Sequence, residues 1–94
     1  MYRIVRTKLF ERSYKRLKQS GIKKDITNDL QAVIDILALG KSLATKYNDH
    51  KLTGQFEGYR ECHVRSNLLL VYQIDQGNLL LILVDVGSHS YLFG

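Results

Sequence analysis

Two of the three histidines, His50 and His63, fall in one polar stretch from Tyr47 to Val64 that also holds Asp49, Glu61, Lys51 and Arg60, with Arg65 just beyond it. An imidazole titrates near pH ~6.5 and serves as base or acid in neutral water, typically worth ~10²–10⁴ in rate. Cations beside it would stabilise charge building on phosphorus, and Arg60 is the one the spacing offers first. An RNA 2′-hydroxyl is an internal nucleophile already adjacent to its phosphate, so imidazoles and cations suffice to cleave RNA. DNA lacks that group, and the same site would be inert on it. The third histidine, His89, follows the Gly87-Ser88 exit of an apolar run. A lone histidine is more often a surface or hydrogen-bonded residue than a catalytic one. Three matter more if the ends of the second and fourth strands lie side by side and bring the rings to one edge.

Other chemistries fit less well. Three histidines and an open position would suit zinc, but the intervals of 13 and 26 residues match no ligand motif. Cys62 and His63 are consecutive in a strand pattern and so face opposite ways, which works against a shared metal. Alternation with Val64 puts Cys62 on the core side, where burial raises a thiol pKa and quenches its nucleophilicity. No Walker-type glycine loop is present. The sequence predicts no metal and no cofactor. Phe93, close to the last residue, either caps the core or offers a stacking surface for an unpaired base.

The elements that must position these residues follow from periodicity. Tyr2 to Arg6 alternates with β-branched residues and reads as a short edge strand. Thr7 is a candidate N-cap for a helix with Phe10, Tyr14 and Leu17 on one face, ended by Ser20-Gly21. A second helix from about Lys24 to Leu39 carries the stripe Ile26, Leu30, Val33, Ile34 and Leu37, with Asp25 and Asp29 near its positive end and Gly40 closing it. Lys41 to Phe56 is loop-like, with Leu43, Tyr47 and Leu52 as anchors. Tyr59–Val64, Leu68–Ile74 and Leu79–Val86 read as three strands joined by turns at Arg65-Ser66-Asn67 and Asp75-Gln76-Gly77-Asn78. The last two are apolar at both parities, as central strands covered on both faces would be. The expected fold is α+β, β-α-α-β-β-β, with a helical hairpin on a mostly antiparallel four-stranded sheet. Gly87 to Gly94 is a tail.

Composition narrows the class. Ninety-four residues with 45% hydrophobic content and no proline suit one folded domain over residues 1–94. One cysteine excludes an internal disulfide and fits a reducing compartment. The first residues lack an apolar leader pattern and no apolar run reaches ~18 residues, so the reading is a cytoplasmic protein with no membrane partner. Residues 1–24 hold nine cations against Glu11 alone, whereas the rest is slightly acidic. Such a basic block either forms a solvated helix face or meets a polyanion or acidic partner, with Arg12, Lys15 and Arg16 at its centre.

Taken together, Tyr47-x-Asp49-His50-x-Leu52-x-Gly54, Gly58-Tyr59-Arg60-x-x-His63-Val64, the Tyr72 strand and Gly87-x-His89-x-x-Leu92-Phe93-Gly94 resemble the YafQ branch of the RelE/ParE superfamily over essentially the whole length. These are the toxin halves of bacterial type II toxin–antitoxin pairs. The resemblance implies a RelE-like microbial RNase fold and a ribosome-dependent, metal-independent mRNA endonuclease acting in the A site. It implies a cognate antitoxin as partner, with the ribosome and mRNA as targets and operator DNA reached only through the antitoxin complex. By position, His50, His63 and His89 match family active-site histidines, and Phe93 an aromatic implicated in activity. Glu61 stands where relatives carry aspartate. Asn67 replaces a common acid and Leu68 an aromatic; an amide is no general base, so Asn67 either only hydrogen-bonds or marks altered activity. His89 is expected as acid or transition-state stabiliser, with His50 or His63 as base. Lys46, Lys51, Arg60 and Arg65 join the basic helix as expected RNA contacts. The alternatives are an inactive antitoxin-binding repressor module, favoured by Asn67 and Leu68, and a ParE-like gyrase inhibitor, disfavoured by the histidines and the Leu92-Phe93-Gly94 ending.

Overall fold

The computed structural model describes residues 1–94. The order is β1 (Arg3–Arg6), α1 (Lys8–Gln19), α2 (Lys24–Ala38), β2 (His50–Lys51), β3 (Arg60–Arg65), β4 (Leu68–Asp75), β5 (Leu80–Gly87) and α3 (His89–Phe93). Thr7 does cap α1: its Oγ1 accepts the Phe10 N–H at 3.1 Å. The same hydroxyl donates to the Leu83 carbonyl at 2.9 Å, tying the helix start to β5.

The sheet is α+β and mostly antiparallel as expected, in the order β1-β5-β4-β3-β2, with β1 parallel to β5 at one edge. It has five strands rather than four. His50 and Lys51, expected in a loop, pair antiparallel with Glu61 and Arg60 and make the opposite edge. Two residues cannot announce a strand by alternation; the pairing partner defines it. The last stretch also differs from a tail, since Ser88 caps α3 by accepting the Tyr91 N–H at 3.1 Å. β4 lies between β3 and β5, so the expected strands two and four do not neighbour one another.

The helical hairpin covers one face. Phe10, Leu30, Val33, Ile34 and Leu37 pack with Cys62, Val64, Leu68, Leu70, Tyr72, Leu81, Leu83 and Val86 into one buried cluster. Each such side chain contributes about 1.5–3 kcal/mol of transfer free energy. Leu69 and Val71, of the other parity on β4, are buried as well but outside that cluster. β4 is thus covered on both faces, as its unbroken apolar run predicts. β5 is less so: Leu81, Leu83 and Val86 are buried, whereas Leu80, Ile82 and Val84 are half-buried.

Candidate active site

Strand alternation sends Cys62 into the helix-side core and Glu61 and His63 to the other face. Glu61 is 5% exposed, and a buried carboxylate needs partners. It has two: His63 Nε2 lies 3.3 Å from Oε1, and His50 Nε2 lies 3.7 Å from the same oxygen. His50 arrives there because β2 registers it directly opposite Glu61.

The tautomer of His50 follows from its other nitrogen. Nδ1 lies 2.7 Å from the Asn48 carbonyl, which can only accept, so Nδ1 carries the proton. In neutral His50 the Nε2 beside Glu61 is therefore the basic lone pair. Abstraction of a proton there creates an imidazolium facing a carboxylate, the arrangement that stabilises it. His63 presents Nε2 to the same carboxylate.

His89 is not in this cluster. Its strand exit, Gly87, is two partners away from His63 in register, through Leu69. Two strand spacings are ~10 Å, so the three imidazoles do not meet at one edge through neighbouring strands. His89 is carried instead at the start of α3. Asn67 Oδ1 accepts the His89 N–H at 3.2 Å, so Asn67 hydrogen-bonds and holds the start of that helix. His89 and Phe93 rings are 5.4 Å apart, and Phe93 meets Phe56 edge-on at 5.2 Å. Phe56 went unnoticed in the sequence because a single aromatic in a loop has no periodicity.

Tyr91 is a further residue that the sequence did not single out. Ser13, 2% exposed within α1, donates to Asp85 and so accepts from the Tyr91 hydroxyl at 2.9 Å. Arg16 stacks over the Tyr91 ring at 4.6 Å, and a Cβ on Gly87 would stand 2.5 Å from that ring. Gly87 is there for close approach, and the approach docks α3.

Several expected contacts lie elsewhere. Arg60 faces away from Glu61 and His63; its Nη2 pairs with Asp49 Oδ2 at 3.2 Å, and its Nε donates to Tyr72 OH at 3.3 Å. Tyr72 OH in turn donates to Asp49 Oδ1. Burial lowers the Arg60 pKa, but the hydrogen bonds and charge of Asp49 outweigh it and the net shift is upward. The expected role of Arg60 beside the phosphate is corrected accordingly: neighbours on a strand face opposite ways, and its fork is engaged by Asp49. Arg65 is held by Asp29 and Asp25 of α2. Lys46 sits over the Tyr47 ring at 5.1 Å, and Lys51 is exposed on β2. Arg12 and Lys15 lie with Arg6, Lys8 and Lys18 on the outer face of α1, in the layer opposite the histidines. No group of three His, Cys, Asp or Glu side chains is set to enclose a metal ion. Burial pushes the Cys62 thiol up to about 12, so it is not a thiolate at neutral pH.

A helical hairpin on one face of a mostly antiparallel five-stranded sheet defines the class as the small RelE-like fold. The family model described as the bacterial toxin of type II toxin–antitoxin system, YafQ, matches residues 2–94, and the chain belongs to that family. The mRNA interferase toxin YafQ of Escherichia coli K12 is 38% identical over 52 residues, 55% of this chain and 54% of that protein. The matched stretches span about half or less of the curated relatives' own length. A metal-bound toxin from Helicobacter pylori superposes with a TM-score of 0.86 at 42% identity, over 99% of this chain and 100% of that one. The E. coli DinJ–YafQ complex gives 0.86 at 28% identity, over 100% of both chains.

Proposed function

We propose that this chain is the toxin of a type II toxin–antitoxin pair, a ribosome-dependent endoribonuclease that cuts translated mRNA in the A site and is silenced by a cognate antitoxin in the cytoplasm. The observation that carries the reading is His50, whose Nδ1–H is fixed by the Asn48 carbonyl while Nε2 faces Glu61. The bare Nε2 takes the proton of the 2′-hydroxyl, and the oxygen attacks the adjacent phosphorus. Glu61, itself steadied by His63, balances the imidazolium that forms. His89 gives a proton to the departing 5′-oxygen as the P–O5′ bond breaks. The products are a 2′,3′-cyclic phosphate and a 5′-hydroxyl, with no metal required. Phe93 presents a ring on the same short helix, suited to holding an unpaired base against His89. Family membership and the likeness to the DinJ–YafQ complex support the antitoxin as partner.

The test is to map 5′ ends of translated mRNA after expression, with His89→Ala, Phe93→Ala and His50→Gln alongside. The expected result is codon-phased cuts that fall at least a hundredfold in the histidine variants while antitoxin binding is retained. The rate should survive a transition-metal chelator that spares magnesium. Intact mRNA with DNA damage would instead point to gyrase, and no toxicity to a repressor module.

A further inference from the structure

We propose that the cleft between the Thr45–Tyr47 turn and the β3–β4 hairpin is a nucleotide subsite for the mRNA next to the scissile phosphate. Resting on the nuclease reading above, the proposal assigns the nucleobase to the Tyr47 ring and the phosphate to Lys46. The cleft has a volume of about 370 Å³ and is lined by Asp29, Lys46, Tyr47, Asn48, His63 and Arg65 among others. That is within the ~300–1,000 Å³ range of small-ligand sites.

Its walls join the histidine cluster at two points. His63, 3.3 Å from Glu61, is itself a wall. Asn48, a second wall, gives its carbonyl to His50 Nδ1. A nucleotide seated here therefore lies against the His63 imidazole, one residue contact away from His50. Asn48 is held in the left-handed region, φ 46°, where the chain leaves the turn and enters β2, and it lines the cleft beside Tyr47. Tyr47 packs against the core on one side, which fixes its ring as a platform. Lys46 lies over that ring at 5.1 Å. Its long exposed side chain is free to give up this cation–π contact for a phosphate while a base takes its place. Asp29 would repel a phosphate were it unpaired, but it is engaged by Arg65. The combination of an aromatic platform, a long-armed cation and an amide suits an unpaired nucleotide better than an acidic peptide, for which the flat ring and the histidine wall have no use.

The test uses a short single-stranded RNA with a 2′-deoxy sugar at the cleavage position, which binds without being cut. Titrated into the free protein, it should shift the ring resonances of Tyr47 and His63 together. Tyr47→Leu should bind it about tenfold or more weakly than Tyr47→Phe, which keeps the ring. In translating ribosomes the leucine variant should raise KM with a smaller effect on kcat. As a measurement independent of any variant's folding, an iodouracil-substituted RNA should photocrosslink to Tyr47 in the wild-type protein. Crosslinks confined to other residues, or equal affinity of the leucine and phenylalanine variants, overturn the proposal. If RNA occupies the cleft but translated mRNA stays whole, the subsite stands and the nuclease reading fails. If mRNA is cut and the leucine variant keeps its KM, the reverse holds.

Discussion

His50 is oriented at both ring nitrogens, and that is the decisive arrangement at the scale of single residues. The Asn48 carbonyl sets the tautomer and leaves the Nε2 lone pair 3.7 Å from Glu61, the arrangement that the proposed nuclease reading uses as its base. Glu61 lies close to two imidazoles. Two other groups at this scale govern the alkaline limit of stability. Burial comes first in raising the Cys62 thiol from 9.0 to about 12, with the Asp49 and Glu61 charges acting in the same direction. Burial, then the hydrogen bond to Asp49, likewise raises Tyr72 above 10.0. Both groups keep their protons in the folded state after the unfolded chain has begun to lose them. Their contribution is therefore complete below pH 9 and is lost as pH climbs toward 12. Denaturant midpoints should fall across that window, and the slope should be shallower in Cys62→Ala. The native thiol should also resist alkylation at about pH 8.

At the scale of elements, α3 is five residues long and has no stability of its own. It is held by Tyr91 in the Ser13–Asp85 network, by Asn67 on the His89 N–H and by Phe93 on Phe56. Tyr91→Ala should therefore undock the helix with little change in the core. The observable is disappearance of the Phe56–Phe93 proximity in the NMR spectrum together with a large drop in cleavage. Gly87→Ala should act in the same direction, because a methyl 2.5 Å from the Tyr91 ring forces that ring to move. Steric insertions of this kind typically cost about 1–3 kcal/mol. Asn67 steadies the start of α3 by accepting the His89 N–H.

At the scale of the whole molecule, the sheet separates two functions. The histidine cluster occupies one face, and α1 with its row of cations lies in the layer on the other. Arg6 and Lys18 already lean on Phe10 and Tyr14, so this surface is an ordered basic face and not a loose fringe. Neutralising Arg12 and Lys15 should weaken ribosome binding and flatten its salt dependence by about one unit of slope for each phosphate no longer neutralised. The cleavage rate at saturating ribosomes should be largely spared, since both lie on the outer face of α1, whereas Arg16 stacks on the Tyr91 ring that docks α3 and is left in place. No helix is long and apolar enough to cross a membrane.

What could be read in advance was whatever depends on local order. Helix limits, the Thr7 cap, the core side of Cys62 and the two-sided burial of β4 all follow from periodicity, which is a property of consecutive residues. The motifs that carry the family likeness are likewise linear, and they named His50, His63, His89 and Phe93. The pairing of two-residue β2, the fork of Arg60 on Asp49 and Tyr72, and the Ser13–Asp85–Tyr91 latch were not legible. Each joins residues separated by 9 to 78 positions. The strand order decided more than any one residue did. By placing β4 between β3 and β5 it separated the strand exit that leads to His89 from His63, and left the position of the third imidazole to α3.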